Sequence, residues 1–169
     1  MADIEVDDIS QSELDAFFGE SKYPQKFLAY ERNRTRFAGF NIWAAIFTTA
    51  WFFYRRLYVQ GIAALVSELF IPAIVVLLVF FITEITDEFA VRVIFSSAIV
   101  CVRIAVGYWG NLALFKKAKR EVREIDKMNF NNDMHLQMVT GAGATNIPAF
   151  LASFWIIGIL DRLVWTGLV

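Results

Sequence analysis

Three ionisable residues, Glu68, Arg103 and Asp161, interrupt stretches of the chain that are otherwise almost wholly apolar. An isolated charge in hydrocarbon costs several kcal/mol, so such residues either pair with one another or line a route for ions or protons. At about 1.5 Å of rise per residue, Glu68 lies about 13 Å into its helix from Val59, Arg103 about 18 Å in from Phe115, and Asp161 about 21 Å in from Ile147. All three depths fall near the middle of a bilayer, and the expectation is a central Glu68–Arg103–Asp161 cluster. Its chemistry is either the pairing that fixes the register of three helices or the relay of a proton. Three helices enclose too little volume for an aqueous route in a monomer, which favours the register role; a transport role requires an oligomer or a partner.

The elements that must position these groups are apolar stretches at residues 40–54, 57–82, 89–115 and 147–165. A spanning helix needs about 20 predominantly apolar residues, so the last three suffice and the first is short. Basic loops stay on the cytoplasmic side. If the first stretch does not cross, Lys22, Lys26, Arg32, Arg34 and Arg36 share a side with Arg55, Arg56, Lys116, Lys117, Lys119 and Arg120; if it crosses, Arg55, Arg56 and the Lys116–Lys127 cluster end up outside, opposite that basic N-terminal region. The reading is therefore an all-α integral membrane bundle with three crossings, one interfacial or re-entrant helix at 40–54, a cytosolic loop at 116–146, and a cytosolic amphipathic region at 1–38 preceding the membrane domain at 39–169. The N-terminus is inside and the C-terminus outside. Four crossings is the alternative.

Helical periodicity sorts residues onto faces. Gly61, Ala64, Glu68 and Pro72 align in the first crossing, and Pro72 cannot donate to the carbonyl of Glu68. In the second, Arg92, Ser96, Arg103, Gly107 and Gly110 share one side, opposite Ile94, Ala98, Val102, Ala105, Trp109 and Leu112. In the last, Phe154, Gly158, Asp161 and Trp165 align. Small residues mark close helix approach in lipid, so Gly61, Pro72, Gly107, Gly110 and Gly158 are expected at packing positions. Trp109 and Trp155 are expected to pack as well. Asn146 or Thr145 can cap the last helix, with Pro148 in its first turn.

Composition agrees with lipid as the solvent: hydrophobic residues make up 57%, aromatics 16%, and mean hydropathy is +0.50. The net charge of −1 hides a segregation of sign. Asp3, Glu5, Asp7, Asp8, Glu13, Asp15 and Glu20 lead the chain with no Lys or Arg among them, and basic residues dominate later. The acidic beginning lacks the basic segment and apolar core of a cleavable signal. Ser10 and Glu13 form a capping-box pattern, with Leu14, Phe17 and Phe18 as an apolar stripe, broken near Gly19 and Pro24.

Other chemistry is sparse. One cysteine, Cys101, and one histidine, His135, make a zinc site improbable, and no metal or cofactor is expected. His135 falls in what reads as a solvated polar loop, without a nucleophile to serve. Gly141–Asn146 has the glycine content of a phosphate loop but lacks its Lys, and reads as a tight helix entry. The juxtamembrane cations Arg55, Arg56, Lys116, Lys117, Lys119 and Arg120 suit anionic lipid headgroups, which accounts for them without nucleic acid.

The segment Phe40-Asn41-Ile42-Trp43-Ala44-Ala45-Ile46-Phe47, followed by Trp51-Phe52-Phe53-Tyr54-Arg55-Arg56-Leu57-Tyr58, resembles the signature of a bacterial family of small membrane proteins, the domain of unknown function twenty-six twenty-eight. Gly107-Tyr108-Trp109-Gly110-Asn111 and the Gly143-Ala144-Thr145-Asn146 entry are also similar to family members, although Ala144 and Asn146 depart from the family's Gly-Gly-Thr-Ser. The resemblance runs from about Phe17 onward. It implies a bacterial inner-membrane location and no particular activity, cofactor or catalytic residue.

The expected function is that of a non-enzymatic accessory or scaffold subunit, or a protective factor, that binds another membrane protein or a second copy of itself. The alternative is an oligomeric ion or proton channel or small transporter using the intramembrane charges. A headgroup-modifying enzyme is the weakest reading, because no acid–base pair lies near the cations.

Overall fold

A computed structural model of the chain describes residues 9–19, 21–33, 38–84 and 87–167, with side chains throughout except at 32–33, 160–161 and 163–167. The side chains of Asp161 and Trp165, and residues Arg34 and Arg36, thus fall outside the described residues. All regular structure within them is helical: α1 (Gln11–Phe18), α2 (Tyr23–Asn33), α3 (Ile42–Tyr54), α4 (Tyr58–Thr83), α5 (Glu88–Asp126), α6 (Asn132–Gly143) and α7 (Ile147–Gly167). Three helices are long and apolar enough to cross a membrane by length and composition: α4, α5, and the last, within Asn132–Ile159. The 13-residue α3 is a shorter apolar helix. This is the all-α architecture that the apolar stretches imply.

The chain divides into two compact units, residues 1–39 with 112–145, and residues 40–111 with 146–169. The N-terminal region is therefore not a separate domain ending at residue 38, because the chain after Leu112 belongs with it. Nor is 116–146 a loop. Helix α5 continues unbroken to Asp126, and α6 fills most of the remainder.

The first unit is built on the apolar stripe of α1. Ser10 caps that helix: its hydroxyl accepts from the Glu13 amide at 3.3 Å, and the Ser10 amide donates to Glu13 Oε2 at 2.6 Å. Gly19 ends the helix at φ 66°, a conformation that favours glycine. Leu14, Phe17 and Phe18 are buried together with Phe27 of α2, Val139 of α6, and Leu114, Phe115, Ala118 and Val122 of α5. Phe115 is the hub, edge-on to Phe27 at 5.1 Å and to Phe18 at 6.1 Å. Such pairs contribute roughly 0.5–1.5 kcal/mol each beyond area burial. A Cβ at Gly143 would overlap the carbonyl of Phe17, so α1 and α6 pack backbone to backbone there.

The second unit packs α3 against α4, α5 and α7. Asn41 caps α3 by accepting from the Ala44 amide at 3.0 Å. Where α3 ends, the backbone N–H of Asn146 donates to the Tyr54 carbonyl at 2.8 Å and its side-chain amide donates to the Tyr58 hydroxyl at 3.0 Å. The same side chain accepts from the Ala149 amide at 3.0 Å. Asn146 is thus the cap of α7, and it ties that cap to the α3–α4 turn.

Candidate functional site

Glu68 is the centre of the second unit's polar chemistry. Its Oε1 accepts from Arg103 Nε at 3.0 Å, and its Oε2 accepts from the Thr48 hydroxyl at 2.8 Å. Helix α4 contributes the acid, α5 the base and α3 the hydroxyl. The carboxylate side chain is 10% exposed and the arginine 45%. Both oxygens of Glu68 are engaged, so the acid is paired and held in one orientation. Pro72, buried one turn on, lies inside α4 and leaves the Glu68 carbonyl without its usual helical donor.

Thr48 carries a second signal. Its backbone lies at φ 40°, ψ −110°, which breaks α3 in two. A β-branched residue rarely occupies positive φ, a conformation that costs on the order of 1–3 kcal/mol and persists only where the surroundings hold it. The hydrogen bond to Glu68 and the burial of Thr48 and Thr49 supply that hold. The sequence gives no warning of this break: the run Thr48-Thr49 reads as continuous apolar helix.

Close approach surrounds this centre. A Cβ at Gly61 would lie 2.5 Å from the Phe53 ring, and one at Gly110 would lie 2.6 Å from Ala44 Cβ. At Gly107 it would overlap Phe40. These glycines let α3 lie directly on α4 and α5. The Gly107 carbonyl accepts from the Asn41 amide at 2.9 Å, and Asn41 Nδ2 donates to Asn111 Oδ1 at 2.8 Å.

Several sequence expectations change. The buried side of α5 in this unit is Ala98, Val102, Val106, Gly107, Gly110 and Asn111, so Ala98 and Val102 belong with the glycines, not opposite them. Arg103 lies at its edge. Among the described side chains of α7, Ser153 is buried, whereas Phe154 and Trp155 are exposed and nothing lies within 4 Å of a Cβ at Gly158. Gly158 and Trp155 are therefore not packing residues among the described contacts. Trp109 packs at 5.2 Å against Phe52. Of the three-charge cluster, Glu68 and Arg103 meet; the Asp161 side chain lies outside the described residues.

The cations also divide. Lys116, Arg56 and Arg120 are exposed, and Arg55 lies over the Tyr54 ring at 5.5 Å. Lys119 pairs with Glu31 at 3.2 Å. Lys117 is buried, with its ammonium 5.9 Å from the Phe17 ring centroid, and is unsuited to a headgroup contact.

His135 was expected in a solvated loop; instead it stands on α6, only 16% exposed. Its Nε2 lies 2.7 Å from Asp126 Oδ1 at the end of α5 and 3.6 Å from Glu13 Oε1 on α1. The three residues come from three helices of the first unit, and no local spacing announces the meeting.

Against known proteins, one family profile matches, described as protein of unknown function (DUF2628), over residues 8–120. The chain belongs to the DUF2628 family. The match holds Asn41, the Tyr54–Tyr58 turn, Glu68, Arg103 and Asn111, and so covers both sides of the α3 contacts with α4 and α5, but not those with α7. The Gly143–Asn146 entry lies beyond it. No curated protein and no solved structure matches the chain.

Proposed function

We propose that this DUF2628 member is a non-enzymatic integral membrane protein, an accessory or scaffold subunit or protective factor that binds another membrane protein. The observation that carries this reading is a groove of about 800 Å³ in the second unit, where small residues (Ala64 and Ser67 of α4; Ser97, Ala98, Cys101 and Ala105 of α5) alternate with bulkier apolar ones such as Ile71, Ile94 and Trp109. Small side chains along a lipid-depth groove are the surface on which a further helix packs closely. The supposed setting is a bacterial inner membrane, N-terminus cytoplasmic, with Arg56, Lys116 and Arg120 against anionic headgroups. It rests on the positive-inside distribution and on the family resemblance. A photo-crosslinker placed at Ser97 in cells, followed by mass spectrometry, tests it. A defined membrane-protein adduct is expected; crosslinks to lipid alone would sink the reading.

A second reading, an oligomeric channel or proton-coupled transporter, draws on the break in α3 at Thr48 beside Glu68. Discontinuous helices with charged neighbours mark ion sites in transporters. Liposomes holding the purified protein should be silent to proton and ion flux on the first reading and leak selectively on the second, with loss in Glu68→Gln.

A further inference from the structure

The first unit holds two carboxylates turned on one imidazole nitrogen, and that arrangement has no use in the membrane role above. Nε2 of His135 faces Asp126 Oδ1 at 2.7 Å and Glu13 Oε1 at 3.6 Å, and the three donor atoms lie within 4.8 Å of one another. A ring N–H can donate to only one of these oxygens at a time. Among the described residues, neither carboxylate takes a Lys or Arg partner, so two negative charges converge on one neutral or singly charged ring. We propose that Glu13, Asp126 and His135 bind a divalent transition-metal cation.

The geometry suits such an ion. Bonds of about 2.0–2.2 Å from a tetrahedral centre place donor atoms about 3.3–3.6 Å apart, within the spread of separations seen here, 2.7 Å to at most 4.8 Å. One imidazole and two carboxylates are a borderline donor set, which suits Zn²⁺, Co²⁺ or Mn²⁺ better than Ca²⁺, which takes six to eight oxygens. The outer shell is in place. Glu13 Oε2 accepts from the Ser10 amide at 2.6 Å and from the Ser10 hydroxyl at 2.7 Å, which leaves Oε1 turned to the histidine. A ligating carboxylate held by hydrogen bonds in this way is typical of protein metal sites. Asp126 is 47% exposed, which gives the ion an entry path and leaves coordination positions for water. Bound there, the cation clips the eight-residue α1 to α5 and α6.

The test uses the full-length protein, purified in detergent and stripped with chelator. Isothermal titration with Zn²⁺ and visible absorption with Co²⁺ should each show one equivalent bound, with micromolar or tighter affinity, and thermal unfolding should move upward with Zn²⁺. Asp126→Asn sits at a half-exposed helix end and should keep the helical circular dichroism. Its metal affinity should fall by at least the ~10–100-fold that even an outer-shell partner contributes. Absence of stoichiometric binding to the wild type, or wild-type affinity in Asp126→Asn, overturns the proposal and leaves a plain histidine–carboxylate ion pair.

Discussion

Asn41 Nδ2 donates a 2.8 Å hydrogen bond to Asn111 Oδ1 across a separation of 70 positions, with both side chains buried. The same Asn41 caps α3. One residue therefore starts a helix and fastens that start to α5. Removing Asn111 by substitution with Leu leaves a buried amide unsatisfied, which costs about 1–3 kcal/mol. Equilibrium unfolding in detergent should show that loss. The double variant Asn41→Leu/Asn111→Leu should lose less than the sum of the two single variants, as expected of groups in direct contact.

Glu68 and Arg103 should behave as a unit. Arg103→Leu strands the acid and should lower the yield of folded protein in detergent, at a cost of about 2.5–3.5 kcal/mol on the proposed membrane placement. Adding Glu68→Gln to that variant should restore part of the yield. Fluorescence-detected size exclusion reads both outcomes; equal behaviour of single and double variants would mean that the pair does not matter.

The glycines give a contrast. Gly110→Ala sets a methyl group 2.6 Å from Ala44 Cβ, and overpacking of this kind costs typically 1–3 kcal/mol. Gly158→Ala meets nothing within 4 Å and should be neutral or stabilising by up to about 1 kcal/mol, because alanine costs less backbone entropy in a helix. Melting temperatures should separate the two in opposite directions.

Cysteine accessibility should distinguish the cations. In a background with Cys101→Ser, a cysteine at position 116 should react readily and one at 117 slowly, because Lys116 is exposed and Lys117 buried. Cysteines at 56 and 120 should label from the same side of intact cells, as the positive-inside distribution requires. Labelling from opposite sides would overturn the proposed topology.

What the sequence made legible were features whose cause is local. The capping box at Ser10 and Glu13, the length of α4, the Asn146 cap and the packing face Gly61–Ala64–Pro72 each follow from short spacings and composition. The misreadings have a common physical origin. Lys117 was grouped with its charged neighbours, yet three residues after Leu114 it falls on the buried face of α5, where a long aliphatic stem can pack and its head can meet an aromatic ring. Gly158 is placed by periodicity, which fixes residues relative to one another on a helix but not which side meets a neighbour, and Trp155 by its depth away from an interfacial belt, which a lipid-facing residue shares. His135 and Thr48 were missed because their partners lie far away in the chain; only folding brings Glu13 and Asp126 to one ring, or Glu68 to a broken helix.

Gly110 and Ala44 share a single space between α5 and α3, so their volumes form one joint quantity. Across DUF2628 relatives the two positions should drift together, a larger residue at one accompanied by a smaller at the other. Independent variation of the pair would indicate that the two helices lie farther apart in those relatives than they do in this chain.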